Sequence, residues 1–379
     1  MNVVNKKITT IIILKYIYNY KKCVMNKKDK IIIAAAVIAT VITGVATHFE
    51  LNSVVLFLLS ATALVLLAMN VGHATDQLGS RLGPGATGVL QSALGNLPEL
   101  FVCIFALRAG LDKVVQAALV GSILANSLLV FGLALLFGGL KNGTQKFHSE
   151  PPKMIATLML IAFAALAIPT LAHHVHAAAD AHINTLNILV AIVLLLVLVA
   201  SLTFTIKRDK NVVPEKPAEE EISHNGSRSM PVTLIVLAAS GVGAAFVSDW
   251  FVEALQPAMK ILGINEVFAG LVIVAIAGNA IENLVGIQLA IKNKADYAVS
   301  VILNSSLQIA IGLFPMLVLL SFVLGGAVLS FVLSPLLLAS LALSIIVGAF
   351  IVFDGESIWL EGVALIGLYI IIAAAFWWG

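Results

Sequence analysis

Gly95-Asn96-Leu97-Pro98-Glu99-Leu100 places an amide, a helix breaker and a carboxylate inside an otherwise apolar segment that runs from residue 85 to 107. A charged side chain at the centre of a membrane helix costs about 2.5–3.5 kcal/mol on insertion scales, so a carboxylate in that setting marks a candidate functional site. The arrangement recurs. Gly278-Asn279-Ala280-Ile281-Glu282 lies in a second apolar segment 183 residues on, and the same offset carries Ser122 onto Ser305. Two copies of a costly arrangement point to one shared site.

Around these motifs the chain is 60% hydrophobic and 11% charged, more apolar surface than one water-soluble core can hide, so the expectation is a polytopic membrane protein. Cys23 lies in a basic tail and Cys103 in an apolar segment, which implies neither a disulfide framework nor a thiolate metal site. Residues 1–30 carry eight lysines, and their apolar run Ile8–Leu14 is too short to span a bilayer and lacks a small-residue cleavage site. They read as a basic cytoplasmic tail, with Met25 an alternative start.

Eleven apolar segments follow, near 31–47, 51–71, 85–107, 114–139, 153–171, 184–206, 231–252, 264–291, 297–321, 323–351 and 356–378, each long enough for a membrane helix. A cytoplasmic N-terminus then puts Arg81, Lys141, Lys146, Lys153, Lys207, Arg208, Lys210, Lys216, Arg228, Lys292 and Lys294 inside and only Arg108, Lys113 and Lys260 outside, the expected positive-inside bias. Trp359, Trp377 and Trp378 read as interfacial anchors. Residues 207–230, with Pro214, Pro217 and Glu219-Glu220-Glu221, read as a cytoplasmic linker whose acids are either simply solvated or gather divalent cations. Glu99 falls on the third segment and Glu282 on the eighth, so an odd number of crossings separates the motifs and the copies have opposite orientation. The predicted fold is therefore all-α: a first helix at 31–50, a five-helix repeat at 51–206 and a second, inverted five-helix repeat at 231–379. Inverted repeats with interrupted helices are the build of secondary transporters.

The residue types specify the chemistry. Asn96 and Glu99, like Asn279 and Glu282, stand at i and i+3, presenting an amide oxygen and a carboxylate on one helical face. Gly95, Pro98 and Gly278 weaken the helix there and free backbone carbonyls. Such hard oxygens suit Ca2+, and two carboxylates balance one divalent charge. Ser122 and Asn126, and Ser305 and Gln308, each share a face on the helix that follows and are expected opposite the glutamates; the alternative is that they only glue helix interfaces. Two carboxylates facing one another in a poorly solvated cavity repel, and so favour taking up protons when no cation is bound. Competition between protons and a cation for the same oxygens gives antiport.

Gly95–Leu140 and Gly278–Ser321, with GNLPEL opening one and GNAIENL the other, resemble the two signature repeats of the Ca2+/H+ antiporter family within the cation/Ca2+ exchanger superfamily. The resemblance covers nearly all of the chain after Met25. It implies that Glu99 and Glu282 are the central cation and proton ligands, with Asn96 and Asn279 in the helix breaks. It also implies that Asp76 (in HATDQL) and Asp249 (in VSDWF), matching positions usually glutamate in the family, line the proton or cation route. Leu97-Pro98 replaces the family's usual Ala-Thr, Asn304-Ser305-Ser306 its usual Gly-Ser-Ser, and the linker acid run is short. The proline also occurs in the sodium-coupled branch, but the extra acid expected of that branch is absent where Ala125 and Asn126 stand.

The expected function is export of Ca2+ from the cytoplasm across the cell membrane in exchange for protons, with no enzymatic step and no cofactor. The expected partners are Ca2+, H+ and membrane lipid, with no nucleic acid; an oligomer is open but not indicated. The alternatives are a Na+-coupled or Mn2+-transporting member of the superfamily, and a passive cation channel. His173, His174, His176, Asp180 and His182 crowd one external loop, read as solvated or else as a Zn2+ or pH-sensing cluster.

Overall fold

The computed structural model describes residues 27–82, 90, 94–148, 150–209 and 229–378, with the backbone alone for a few helical positions, Glu282 among them. The basic tail before Lys27, most of the 207–230 linker and part of the 85–107 segment lie outside the described residues. The helices are α1 (Lys27–His48), α2 (Ser53–Leu82), α3 (Leu97–Arg108), α4 (Asp112–Asn142), α5 (Glu150–His174), α6 (Ile183–Asp209), α7 (Met230–Leu262), α8 (Glu266–Gly278), α9 (Ala280–Ile291), α10 (Ala295–Leu324), α11 (Pro335–Phe353) and α12 (Trp359–Trp377). Two short strands, β1 (Gln145–Lys146) and β2 (Glu356–Ser357), pair antiparallel. Among the described residues nine of the helices are long and apolar enough to cross a membrane; α3, α8 and α9 are shorter.

Helices α4 and α10 form the centre, and α1 lies at the periphery, packed on α2 and α7. Both central helices contain a π-turn at nearly matching places, Ala125–Val130 and Ile309–Leu313, as does α8 at Ala269–Val274. In the absence of a hydrophobic force between helices in lipid, small residues bring backbones together. A β-carbon on Gly121 of α4 would sit 2.2 Å from the carbonyl oxygen of Leu271 in α8, and one on Gly270 2.3 Å from that of Val114. Glycines on both sides let these two helices cross backbone to backbone.

One expectation fails. The segment 323–351 is not one helix: α10 ends at Leu324, where Gly325 takes a left-handed conformation (φ 71°), and α11 begins only at Pro335, N-capped by Ser334. The irregular residues between insert into the bundle, burying Leu329, Phe331 and Leu333. Their backbone polar groups are satisfied by side chains from surrounding helices, as a non-helical segment inside a membrane protein requires. Gln116 donates to the carbonyls of Ser330 (2.9 Å) and Val332 (3.2 Å), and the Thr170 hydroxyl donates to Phe331 O (2.8 Å) while accepting from Leu333 N (3.0 Å). Asn187 donates to the Ser330 hydroxyl and accepts from Phe331 N. Thr170→Val leaves two buried backbone groups without partners and is expected to destabilise the protein by about 2–4 kcal/mol, read as a lower melting temperature in detergent. An unchanged melt would remove Thr170 from this role.

Candidate functional site

The two Gly-Asn motifs break their helices in the same way. Asn96 precedes α3 at φ −92°, ψ 17°, and Asn279 precedes α9 at φ −106°, ψ 15°, both in the bridge region between helix and strand. Pro98 sits in the first turn of α3, where its missing N–H costs nothing. Glu99 follows in that turn, at the positive end of the helix dipole, and is 1% exposed. Glu282 has its backbone at the matching place in α9, three residues past Asn279; its side chain lies outside the described residues.

The second break lies against the first. A β-carbon on Gly278 would stand 3.4 Å from Cβ of Glu99 and 3.5 Å from its Cγ, ordinary van der Waals contact, so the second Gly-Asn step packs directly beside the glutamate stem. Across the α4–α8 crossing, the Asn279 amide donates to the Ser122 hydroxyl (2.8 Å), which donates to Oε1 of Glu99 (2.5 Å). One serine thus links the amide of one motif to the carboxylate of the other. The Asn279 Oδ1 is buried with no hydrogen-bond partner among the described residues, an acceptor left over beside the carboxylate. A narrow pocket reaches Glu99 between Leu64 of α2, Phe251 of α7 and Gly278.

The other polar residues divide into two groups. Asn126 donates to the Ser305 hydroxyl (3.0 Å), and Gln308 is buried one turn farther along α10. Ser127 and Ser306 share a hydrogen bond of 3.0 Å between α4 and α10. Ser127 had no signal in the repeat, because the 183-residue offset pairs it with Ala310. Asn96 is buried at its break, and its carbonyl accepts from Leu100 N.

Asp76 and Asp249 do not share a site. Phe57 stacks on Phe251 (5.0 Å), a β-carbon on Gly243 would touch Leu67, and Thr233 donates to Gln77 (3.3 Å). Helices α2 and α7 therefore run antiparallel, with Asp76 level with the start of α7 and Asp249 near the start of α2. Both are exposed, and Asp76 is about 18 Å along α2 from Leu64 at helical rise. In the histidine loop His173 Nδ1 meets Asp180 Oδ1 at 2.8 Å, and among the described residues no group of three or more His, Cys, Asp or Glu is placed to hold a metal ion.

The arrangement offers hard oxygens, a carboxylate, a hydroxyl and an amide oxygen, in a buried place between two helix breaks. Such a set binds a hard cation or protons.

The family described as sodium/calcium exchanger protein matches residues 52–207 and 232–378. The Ca(2+)/H(+) antiporter ChaA of Bacillus subtilis is 35% identical over 356 residues, covering 93% of this chain and 99% of that protein. A Ca(2+)/H(+) antiporter of Aphanothece halophytica is 33% identical over 346 residues, 86% of this chain and 90% of its own length. Among solved structures, native YfkE superposes with a TM-score of 0.78 at 31% identity, over 93% of this chain and 100% of that one.

Proposed function

Because this chain belongs to the sodium/calcium exchanger family, and because its relatives of nearly equal length are Ca2+/H+ antiporters, we propose that it is a secondary active Ca2+/H+ antiporter that exports Ca2+ from the cytoplasm as protons enter. The observation that carries the reading is the hydrogen-bonded path from Asn279 through Ser122 to Glu99, which joins the two helix breaks in the buried core. In this reading Glu99 and Glu282 are the shared Ca2+ and proton ligands. Asn96, Asn279, Ser122, Ser305 and Gln308 add neutral oxygens or hold the ligands in place.

The chain crosses the cell membrane eleven times from a cytoplasmic N-terminus. Each glutamate-bearing crossing is interrupted at its Gly-Asn step, at Asn96 in one repeat and at Asn279 in the other. Residues 51–206 and 231–379 are inverted repeats, residues 31–50 an added helix and residues 207–230 a cytoplasmic linker. Support comes from the lysine and arginine distribution, and from two glutamates separated by an odd number of crossings. Asp76 and Asp249, at opposite ends of the α2–α7 pair, then serve opposite faces of the membrane, one on each approach to the site.

Coupling follows from charge. An empty site with ionised carboxylates is too costly to carry through a closed, dry intermediate, whereas one neutralised by Ca2+ or by protons can reorient. Transport without an exchanged ion is thereby suppressed, which a passive channel would not achieve.

Inside-out vesicles carrying the protein and acidified within are expected to accumulate Ca2+ in step with proton efflux, and accumulation falls as the outer pH is lowered and protons compete at the loading face. Uptake driven by a sodium gradient instead would make the protein a Na+-coupled exchanger. Ca2+ flux without proton movement would make it a channel. Competing Mn2+ in the same assay reads its selectivity.

A further inference from the structure

The C-terminal ends of α3 and α9 are built alike, residue for residue at the 183-residue offset. Gly110 (φ 80°) and Asn293 (φ 61°) take the left-handed turn. Gly110 N donates to Leu107 O and Asn293 N to Ala290 O, both at 3.0 Å; Leu111 N donates to Ala106 O (2.9 Å) and Lys294 N to Leu289 O (3.0 Å). In each case a connector from another helix then seizes the same carbonyl. Ala327 N, in the inserted segment after α10, donates to Leu107 O (2.9 Å), and Gly326 beside it approaches so closely that a β-carbon would fall 2.3 Å from that oxygen. At the equivalent Ala290 O the donor is a side chain: the amide of Asn142, the last residue of α4, reaches Ala290 O (3.1 Å) and Ile291 O (3.4 Å).

The two clamps differ in strength. The one on α3 is backbone to backbone and backed by a buried apolar segment. The one on α9 is a single half-buried amide; its connector is held by the β1–β2 pairing, by Phe147 N on Gly355 O (2.9 Å), by the buried Gln145 amide on Leu135 O (3.2 Å), and by the exposed contacts of Lys146 with Glu356 (3.8 Å) and of His148 with Asp296. Helix α9 has only 12 residues, about 18 Å, between a break at Asn279 and the turn at Asn293. It meets α4 through two amides: Asn279, which reaches Ser122 at the site, and Asn142, which holds the far end.

We propose that Asn142 is a positioning residue that sets the axial placement of the half-helix carrying Asn279 and Glu282, and through it the affinity of the cation site. The proposal rests on the Ca2+/H+ reading above. Its physical basis is that coordination tolerates little misplacement, and that a short helix released at one end can slide along its neighbours.

The test uses the full-length protein in proteoliposomes, with Ca2+ as the varied ion. Asn142→Leu, which removes the donor, and Asn142→Asp, which sets an acceptor against the two carbonyls, are expected to raise the Ca2+ concentration for half-maximal exchange about three- to tenfold, the worth of one intramolecular hydrogen bond, with the maximal rate within about twofold of wild type. Lys146→Gln, which breaks only the exposed ion pair of the same connector, should leave both parameters unchanged. Wild-type KM in both Asn142 variants overturns the proposal, as does loss of folded protein in both while Lys146→Gln folds, because Asn142 would then serve stability alone. An equal KM shift in Lys146→Gln also overturns it. A wild-type protein that exchanges nothing instead overturns the function on which the proposal stands.

Discussion

Glu99→Gln is expected to lower Ca2+/H+ exchange by at least about a hundredfold while leaving the protein folded. Glutamine keeps the volume of the side chain and an oxygen able to accept from the Ser122 hydroxyl, so the buried link from Asn279 to α3 survives. What disappears is a full negative charge in a place that water barely reaches. Removing one partner of a buried ionic contact costs about 3–5 kcal/mol, which is about a hundred- to several-thousandfold in affinity. The site also loses one of its two titratable groups, so any residual Ca2+ flux should fall less steeply as the loading face is acidified. Glu282→Gln is expected to act alike. Ser122→Ala should be milder, about tenfold, because it deletes a neutral hydrogen-bonding group and not the charge. Exchange assayed in vesicles at matched protein levels ranks the three. A Glu99→Gln variant that transports like wild type would end the site assignment, and one no worse than Ser122→Ala would demote the carboxylate to a structural acid.

Gly121→Val is expected to abolish exchange and to lower the melting temperature together, although residue 121 carries no functional group. The atoms its β-carbon would strike are the carbonyl oxygen, Cα and carbonyl carbon of Leu271, all backbone and none able to rotate away. Overpacking of this kind costs about 1–3 kcal/mol even where side chains can yield, and here the helices themselves must part. Ser122 is the next residue, so separation of α4 from α8 stretches the 2.8 Å contact between Asn279 and Ser122 and loosens the hold on Glu99. Gly270→Val should behave the same way, because its β-carbon would press on Val114 O and Ala117. Gly241→Ala supplies the control: a β-carbon there meets nothing within 4 Å, and melt and exchange should both stay at the wild-type level. Normal exchange in Gly121→Val would show that this crossing does not position the site.

Helix content, membrane length and the two broken motifs are legible in the chain because each depends on neighbours in sequence. A run of apolar residues, a Gly-Asn step and a proline in a first turn act on their own backbone, and the break at Asn279 falls where the Gly-Asn step predicted. The 183-residue offset was equally plain, and it turned out to extend to the turns at Gly110 and Asn293, which no motif had marked. The 323–351 segment reads as one helix in the sequence because burial against protein and burial against lipid select the same side chains. Leu329, Phe331 and Leu333 look like part of a membrane helix, and only Gly325 and Pro335 hinted at an interruption.

By itself, then, the amino-acid order determined that this is a many-helix membrane protein with two acid-and-amide breaks, since burying uncompensated polar groups in lipid is too costly to occur by accident. The tertiary structure alone decided that Ser122 joins Asn279 to Glu99, that Asp76 and Asp249 stand apart, and that the end of α9 hangs on Asn142. Those relations depend on how closely backbones far apart in sequence, 23 residues for Ser122 and Glu99 and more than a hundred for the others, can approach. That distance is set by small residues meeting across a crossing, which no pattern along either helix encodes.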